Sequence, residues 1–369
     1  MSRKNLLELC LSPDLGGLEL YMVRSAKALA DDFEVLSVIG ETTKLKQYYE
    51  DEQYRFEQVN RKGSFSIGAA RKLAKIIDAN SIDIVHLHWT KDIPIAVMAK
   101  VFSQSKPKLV QTRNMTMTRF KNDFYHRFLY KHIDMMLPVT YEVASQIKKF
   151  IPEDIRPKVE VLYMGSDKVD LLSADEINEY KNSLNVGDSF MIGLVGRINE
   201  FKGQHLLIEA MDILIKKGLD IKAYIVGHAM EESYLEGLKQ DVKRRNLEKN
   251  LIFLGFEKNP HRFMQACDTV IMASKCETFG LVSIEAMQVE TVVIGANSCG
   301  VLEIIDDNET GLLFENGDSL SLAEKIEKLY EDRPLQEKIA SAGRLKAEDK
   351  FSNSKQFQKL EKIFTELGL

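Results

Sequence analysis

The 369-residue sequence predicts an α/β protein of two Rossmann-like, doubly wound parallel-sheet domains facing a cleft. Three observations predict it. Short apolar runs alternate with segments of helical period along both halves of the chain. The length exceeds the size at which a single hydrophobic core stops growing. A dense group of chain-turning residues, Ile151-Pro152, Arg156-Pro157 and Gly165-Ser166-Asp167, interrupts the alternation near its middle. The domains are accordingly placed at 1–167 and 168–353.

In the first half, apolar runs at 5–11, 33–39, 84–87, 109–112 and 133–139 read as strands, and segments of helical period at 18–30, 67–79, 93–102 and 141–150 read as helices. In the second half the strands are 190–195, 221–226, 251–254, 269–272, 291–294 and 312–314, and the helices 205–217, 234–245 and 281–289. The helix-patterned stretch 354–369 carries no strand, and either caps the second domain or returns to pack on the first. In a doubly wound sheet the ligand crevice lies outside the C-terminal ends of the strands, so the loops at 12–17, 196–203 and 273–280 are where chemistry is expected.

Composition narrows the class. Hydrophobic residues make up 44% and charged residues 28%, enough for a large core with a well-solvated surface. No apolar run reaches the ~20 residues a membrane helix needs. Arg3-Lys4 passes into a strand-like run without a small-residue cleavage site, so a cytoplasmic protein is expected, at most peripheral at the inner face of the membrane. Cys10, Cys267, Cys276 and Cys299 form no C-x-x-C pair and are expected as reduced thiols. Repeats and low-complexity tracts are absent from the sequence, and no nucleic-acid partner is expected.

Charge is uneven: residues 1–170 carry 26 Lys/Arg against 22 Asp/Glu, and residues 171–369 carry 24 against 33. Within 113–149, Arg113, Arg119, Lys121, Arg127, Lys131, Lys148 and Lys149 interleave with Phe120, Phe124, Tyr125, Phe128 and Tyr130. That segment is either a basic, aromatic surface suited to an anionic membrane, or an ordinary amphipathic helix with its aromatics in the core.

Glu277 and Glu285 stand eight residues apart around Gly280, where the apolar helix pattern of 281–289 begins. A helix opening on glycine presents backbone N–H groups and attracts phosphate. With a rise of roughly 1.5 Å per residue the two carboxylates flank that end and accept hydrogen bonds from hydroxyls on either side of a diphosphate. Gly196-Arg197 follows the strand 190–195 and Lys202-Gly203 precedes the next helix, so two cations flank one strand-to-helix loop, as a leaving diphosphate requires. The first such loop, Ser12-Pro13-Asp14-Leu15-Gly16-Gly17, is either a phosphate-approaching turn or a plain tight one. His86 and His88 share one face at the end of strand 84–87, and either orient an acceptor hydroxyl or sit packed and hydrogen-bonded. A metal is not expected, because the sequence shows no third ligand at a suitable spacing beside His-x-His and no D-x-D.

These motifs together resemble the family 4 glycosyltransferases, retaining enzymes of the GT-B fold. The resemblance spans nearly the whole chain: Gly16-Gly17, Gly196-Arg197 with Lys202-Gly203, the E-x7-E stretch from Glu277 to Glu285 followed by Ala286-Met287, and Glu303-Ile304-Ile305 with Thr310-Gly311-Leu312-Leu313. It implies transfer of a hexose-type sugar from a nucleotide-diphosphate sugar, UDP-sugar favoured, to a glycan or lipid-linked acceptor in cell-surface polysaccharide or lipopolysaccharide synthesis. No cofactor beyond that co-substrate is implied. By the resemblance Glu277 meets the transferred sugar, Glu285 the ribose, and Arg197 and Lys202 the diphosphate. The backbone of Phe279, Gly280 and Leu281 faces the phosphates, as do Gly16 and Gly17. The catalytic set is Glu277, Arg197 and Lys202, and the acceptor set is His86, His88 and Asn114. Asn114 stands where the family has histidine, and an amide takes up no proton. Glu290, Val292 and Cys299 replace the family's Gly, Pro and Gly, and Met164 an Asn. A nucleotide-sugar epimerase and a non-catalytic nucleotide-sugar-binding subunit are the competing readings.

Overall fold

The structure is a computed structural model that describes residues 3–63 and 65–367. Residues 368 and 369 of the expected terminal helix lie outside them. The chain divides into two compact units, residues 1–163 with 354–369, and residues 164–353.

Unit 1 is a seven-stranded parallel sheet of order β3-β2-β1-β4-β5-β6-β7. Its strands are β1 (Lys4–Cys10), β2 (Phe33–Gly40), β3 (Phe56–Val59), β4 (Ile84–Leu87), β5 (Lys108–Arg113), β6 (Met135–Pro138) and β7 (Lys158–Val159). Its helices are α1 (Gly17–Leu29), α2 (Leu45–Asp51), α3 (Ile67–Ala79), α4 (Ile93–Phe102), α5 (Phe124–Lys131) and α6 (Tyr141–Phe150). Helices on both faces bury the strands on both sides, so every residue of β4 and β6 is buried instead of every other one. Leu7, Leu9, Val85 and Leu87 pack with Leu73, Ile77 and Ile95 in the core.

Unit 2 is a six-stranded parallel sheet of order β10-β9-β8-β11-β12-β13. It contains α7 (Ala174–Ser183), β8 (Phe190–Val195), α8 (Gln204–Lys216), β9 (Ile221–Val226), α9 (Glu232–Arg244), β10 (Leu251–Gly255), α10 (Pro260–Ala266), β11 (Thr269–Met272), α11 (Leu281–Gln288), β12 (Val292–Ala296), α12 (Val301–Ile304), β13 (Leu312–Phe314), α13 (Ser319–Glu331) and α14 (Arg333–Lys350). Ile192, Leu194 and Ile225 of the sheet pack against Leu207, Met211 and Leu214 of α8 and Leu322 and Ile326 of α13.

The two units are therefore doubly wound parallel sheets, as the alternation predicts. Strand order reverses between β1 and β4 in one and between β8 and β11 in the other. The sequence reading ends the first domain at residue 167, and the first compact unit ends at Tyr163. Residues 164–167 are tied into unit 2, where the Ser166 N–H donates to Phe351 O (2.9 Å), the Asn353 N–H to Ser166 O (3.1 Å) and Asn353 Nδ2 to Asp167 Oδ1 (2.8 Å).

The last helix, α15 (Asn353–Leu367), packs on unit 1. Phe364 meets Phe33 edge-on at 6.1 Å and His86 at 5.1 Å, Phe357 stacks on Tyr21 at 5.8 Å, and Gln356 Nε2 donates to Tyr21 Oη at 2.8 Å.

Some helices start with a side-chain cap and others without one. Ser66, Thr140, Ser173, Asp318 and Asp332 cap α3, α6, α7, α13 and α14 with side-chain oxygens. In contrast, α1, α8 and α11 begin after Gly16, Gly203 and Gly280, with no side-chain cap. All three follow the C-terminal end of a strand at a reversal of strand order, where the N–H groups at a helix start can face a ligand.

Candidate active site

In unit 2 the loops after β8 and β11 lie side by side because those strands are neighbours. Arg197 is exposed, and its carbonyl accepts from the fully buried Gln204 Nε2 at 3.0 Å, which fixes the loop's course. Gly203 has φ +72°, and a Cβ there would come 2.2 Å from Ala273 O, so only glycine lets α8 start this close to the β11 loop. The approach brings Lys202 Nζ to 2.6 Å from Glu277 Oε2, each side chain about a quarter exposed. The Lys275 N–H donates to Phe201 O at 2.9 Å and locks the two loops together.

Gly280, φ +91°, turns the β11 loop into α11. Phe279 is buried with its ring edge-on to Phe351 at 5.8 Å, and Leu281 and Glu285 are partly buried on the first two turns. Arg197, Lys202, Glu277, Phe279, Gly280, Leu281 and Glu285 therefore all stand at or just beyond the reversal between β8 and β11. Gly16 and Gly17 hold the equivalent place in unit 1, where the Leu20 N–H donates to Gly16 O at 3.0 Å and nothing lies within 4 Å of a Cβ on Gly17.

The structure corrects the cysteine reading. Cys276, next to Glu277, is disulfide-bonded to Cys299, 23 residues on. The two lie on the loops after β11 and β12, which pair, so the sheet brings together residues whose spacing showed nothing. The Gly300 N–H, following Cys299, donates to Glu277 O at 2.9 Å, and Ser298 Oγ to Lys275 O at 3.1 Å. Cys10 and Cys267 are buried thiols, and burial pushes both well above the usual thiol range.

The acceptor role expected of His86 and His88 is also corrected. Both are buried, 0% and 1% exposed, because the β1–β4 register sets Glu8 beside His86 in the sheet interior. Glu8 Oε2 lies 2.5 Å from His88 Nε2 and 2.9 Å from His86 Nδ1, its other oxygen accepts from Ser25 Oγ at 2.7 Å, and His86 Nε2 meets Thr112 Oγ1 at 2.7 Å. Burial raises the Glu8 carboxyl, but the two imidazoles outweigh it and hold it far below the usual carboxylate range. His88 is lowered to about 4 by burial and the neighbouring His86, against the pull of Glu8. Glu8 is also the third ligand the sequence did not show: the three groups could hold a metal ion.

Asp92 was missed, and Arg113 was read only as one cation of the basic segment 113–149. Asp92, fully buried at the N-cap of α4, accepts from the Leu11 N–H at 2.8 Å and lies 3.8 Å from Arg61 Nε, whose guanidinium covers Trp89 at 4.4 Å. It holds the chain where the Gly16-Gly17 loop begins. Burial pushes its carboxyl up to about 7, against the Leu11 hydrogen bond and the Arg61 charge. The signal was an acid directly before the apolar run that begins at Ile93. Arg113, at the end of β5, is 5% exposed; its Nε donates to Met115 O and its Nη2 to Thr116 O, both at 2.9 Å. Asn114 follows it, partly buried.

Comparison with known proteins agrees with this geometry. Residues 176–346 match the family model "Glycosyl transferases group 1" and residues 8–146 match "Glycosyl transferase 4-like". The capsular polysaccharide biosynthesis glycosyltransferase CapM of Staphylococcus aureus is 33% identical over 213 residues, covering 56% of this chain and 55% of that protein. The N-acetylgalactosamine-N,N'-diacetylbacillosaminyl-diphospho-undecaprenol 4-alpha-N-acetylgalactosaminyltransferase of Campylobacter jejuni is 28% identical, covering 76% of each chain. HepE of Anabaena, solved in complex with UDP-glucose, superposes with a TM-score of 0.85 at 23% identity, covering 98% of this chain and 99% of that one. That likeness shows the two-sheet GT-B fold.

Proposed function

Because this chain belongs to the group 1, GT4-like glycosyltransferases, we propose that it transfers a hexose-type sugar, with retention, from a nucleotide-diphosphate sugar to a glycan or lipid-linked acceptor in cell-surface polysaccharide or lipopolysaccharide synthesis. The observation that carries the reading is the Lys202–Glu277 pair at the reversal of the unit 2 sheet, beside the uncapped start of α11. A diphosphate arriving there finds an ammonium already drawn into place, the Arg197 fork on the same loop, and the backbone of Phe279, Gly280 and Leu281. Glu277 and Glu285 accept hydroxyls of the transferred sugar and the ribose. Gly16 and Gly17 serve the donor from unit 1. UDP is the favoured base, in line with the UDP-glucose held by HepE.

The transfer is metal-independent in this reading, since Arg197 and Lys202 neutralise the diphosphate as it leaves. The bond from the sugar's anomeric carbon to the phosphate oxygen breaks, a bond from that carbon to the acceptor oxygen forms on the same face, and the acceptor's proton passes to the departing phosphate. No side chain takes up that proton, which fits Asn114 at the position where the family has histidine. Asn114 remains the acceptor-side residue of the proposal.

The test is steady-state kinetics with a panel of nucleotide sugars. Glu285→Ala should raise the donor KM by roughly tenfold, the loss of a charged hydrogen bond. Arg197→Ala and Lys202→Ala should each lower kcat by about 10² with a smaller change in KM. Unchanged kinetics in all three variants would sink the proposal. Donor alone, followed by NMR of the sugar, separates transfer from epimerisation. Segment 113–149 is proposed to rest on an anionic membrane face. No helix among the described residues is long and apolar enough to cross a membrane, so peripheral contact is what phosphatidylglycerol vesicles should detect. Binding that does not fall with salt removes that part.

A further inference from the structure

We infer that the β5–α5 connection of unit 1 is a phosphate subsite, built to hold the phosphate or diphosphate of a lipid-linked sugar acceptor through Arg113, Arg119 and Lys121. The inference deepens the proposed function by naming the acceptor's chemical class.

The geometry starts from Arg113. Its guanidinium is buried and two of its nitrogens are fixed on the carbonyls of Met115 and Thr116, but Nη1 has no hydrogen-bond partner among the described residues. Beside it the buried Asn114 Oδ1 is unpartnered as well. A buried charged donor left without an acceptor is costly, which favours an anion placed to accept from it.

Counter-charge is short here. Among the described residues no ion pair is recorded for Arg113, Arg119 or Lys121. Lys121 is lowered by its own burial and by the charges of Arg119 and Arg113, only partly offset by Asp123. Asp123 is engaged by His126, accepting from its backbone N–H at 3.1 Å and its ring at 2.5 Å, and Lys121 Nζ lies 3.5 Å from His126 Nε2. The neighbouring acids are also taken: Asp154 pairs with Arg127, and Glu142 accepts from Gln146 Nε2 at 2.9 Å. Three crowded cations with one idle buried N–H are the complement of a polyvalent oxyanion.

The fringe indicates what carries the phosphate. Met115, Phe120 and Phe124 are 53%, 65% and 88% exposed on the same segment. Phe120 packs edge-on against Phe150 at 5.3 Å, which holds its outer face to solvent. Exposed aromatics beside a cation cluster suit a phosphate attached to a hydrocarbon chain, whereas a free anion would need only the cations.

The experiment uses the full chain with excess UDP to fill the donor site, and calorimetric titration of geranyl diphosphate, inorganic pyrophosphate and geraniol. Because Arg113 also anchors its loop, the variant is Arg119→Met/Lys121→Met, checked for unchanged circular dichroism and unchanged UDP affinity. Geranyl diphosphate should bind wild type and lose roughly tenfold or more in the variant, with geraniol weak in both. Variant affinity within about twofold of wild type, or geraniol equal to geranyl diphosphate, overturns the subsite. Pyrophosphate as tight as geranyl diphosphate keeps a phosphate subsite but overturns the lipid-linked assignment. Absence of UDP binding in wild type counts against the donor reading alone, since the loss of geranyl diphosphate in the variant is read separately.

Discussion

Asp92 shows how one buried side chain ties chemistry to stability. Its carboxyl is pushed from the ordinary 3.8 up to about 7 in the folded protein. A group whose folded pKa is raised favours folding when protonated, so its contribution is fully present below about pH 4 and is lost as pH rises toward 7. His88 acts in the opposite sense: lowered from 6.5 to about 4, it contributes above pH 6.5 and loses that contribution as pH falls. In Asp92→Asn the first of these disappears and the second stays. Urea unfolding at pH 5 and pH 7.5 should therefore show the variant gaining stability relative to wild type as pH rises; a constant difference between the two proteins would show that Asp92 ionises normally. Neither residue's state was legible in the sequence. The spacing of His86 and His88 correctly put them on one face, but what that face meets is Glu8, nearly eighty residues earlier, and only the β1–β4 register supplies it. Lys202 and Glu277, by contrast, were both legible, because Gly203 directly after Lys202 and Gly280 three residues after Glu277 each mark a strand-to-helix turn.

At the scale of elements, the sequence reading succeeded where burial is two-sided and failed where it is sparse. The runs 190–195, 221–226 and 269–272 are β8, β9 and β11 residue for residue, since strands covered on both faces are mostly apolar, with Lys222 the single charged residue among the three. Helices α13 and α14 were passed over. On α14 only Gln336, Ile339, Ala340, Gly343 and Ala347 are buried over eighteen residues, too little apolar material to set up a helical period. The Cys276–Cys299 bond was missed for a different reason, since neighbouring strands rather than sequence spacing join the two loops. Its consequence is testable. Closing a loop of 23 residues restricts the unfolded chain by about 3 kcal/mol in the chain-entropy model. Cys299 also has φ +50°, a left-handed conformation that a non-glycine residue holds at a cost of roughly 1–2 kcal/mol, next to the Gly300 N–H bound to Glu277 O. Reduction should let Cys299 relax and loosen Glu277. Wild type with dithiothreitol should unfold at lower urea and show a raised donor KM, and Cys299→Ser should match the reduced protein with or without reductant. Identical midpoints in oxidised and reduced wild type would show that the bond does not constrain the loop.

For the whole molecule the chain's path poses the sharpest question, since residues 354–367 leave unit 2 and complete unit 1. Open in the sequence reading, this return decides how the protein unfolds. Phe364 is fully buried, with Phe33 of β2 on one side and His86 of β4 on the other, so α15 closes the cover over the Glu8, His86 and His88 cluster. Truncating a buried phenylalanine removes its transfer free energy and leaves a cavity, about 3–5 kcal/mol together. Here the cavity also admits water to the buried Glu8, His86 and His88 cluster. Phe364→Ala should therefore destabilise unit 1 toward the upper end of that range. Hydrogen exchange should show protection falling in β1, β2 and β4 while β8, β9 and β11 keep theirs, because Phe364 belongs to unit 1 and its ring meets Phe33 and His86 there. A Phe364→Leu variant, which keeps most of the volume, should recover most of the protection. Equal loss across both sheets in Phe364→Ala would mean that the two units unfold as one cooperative body and that α15 stabilises both.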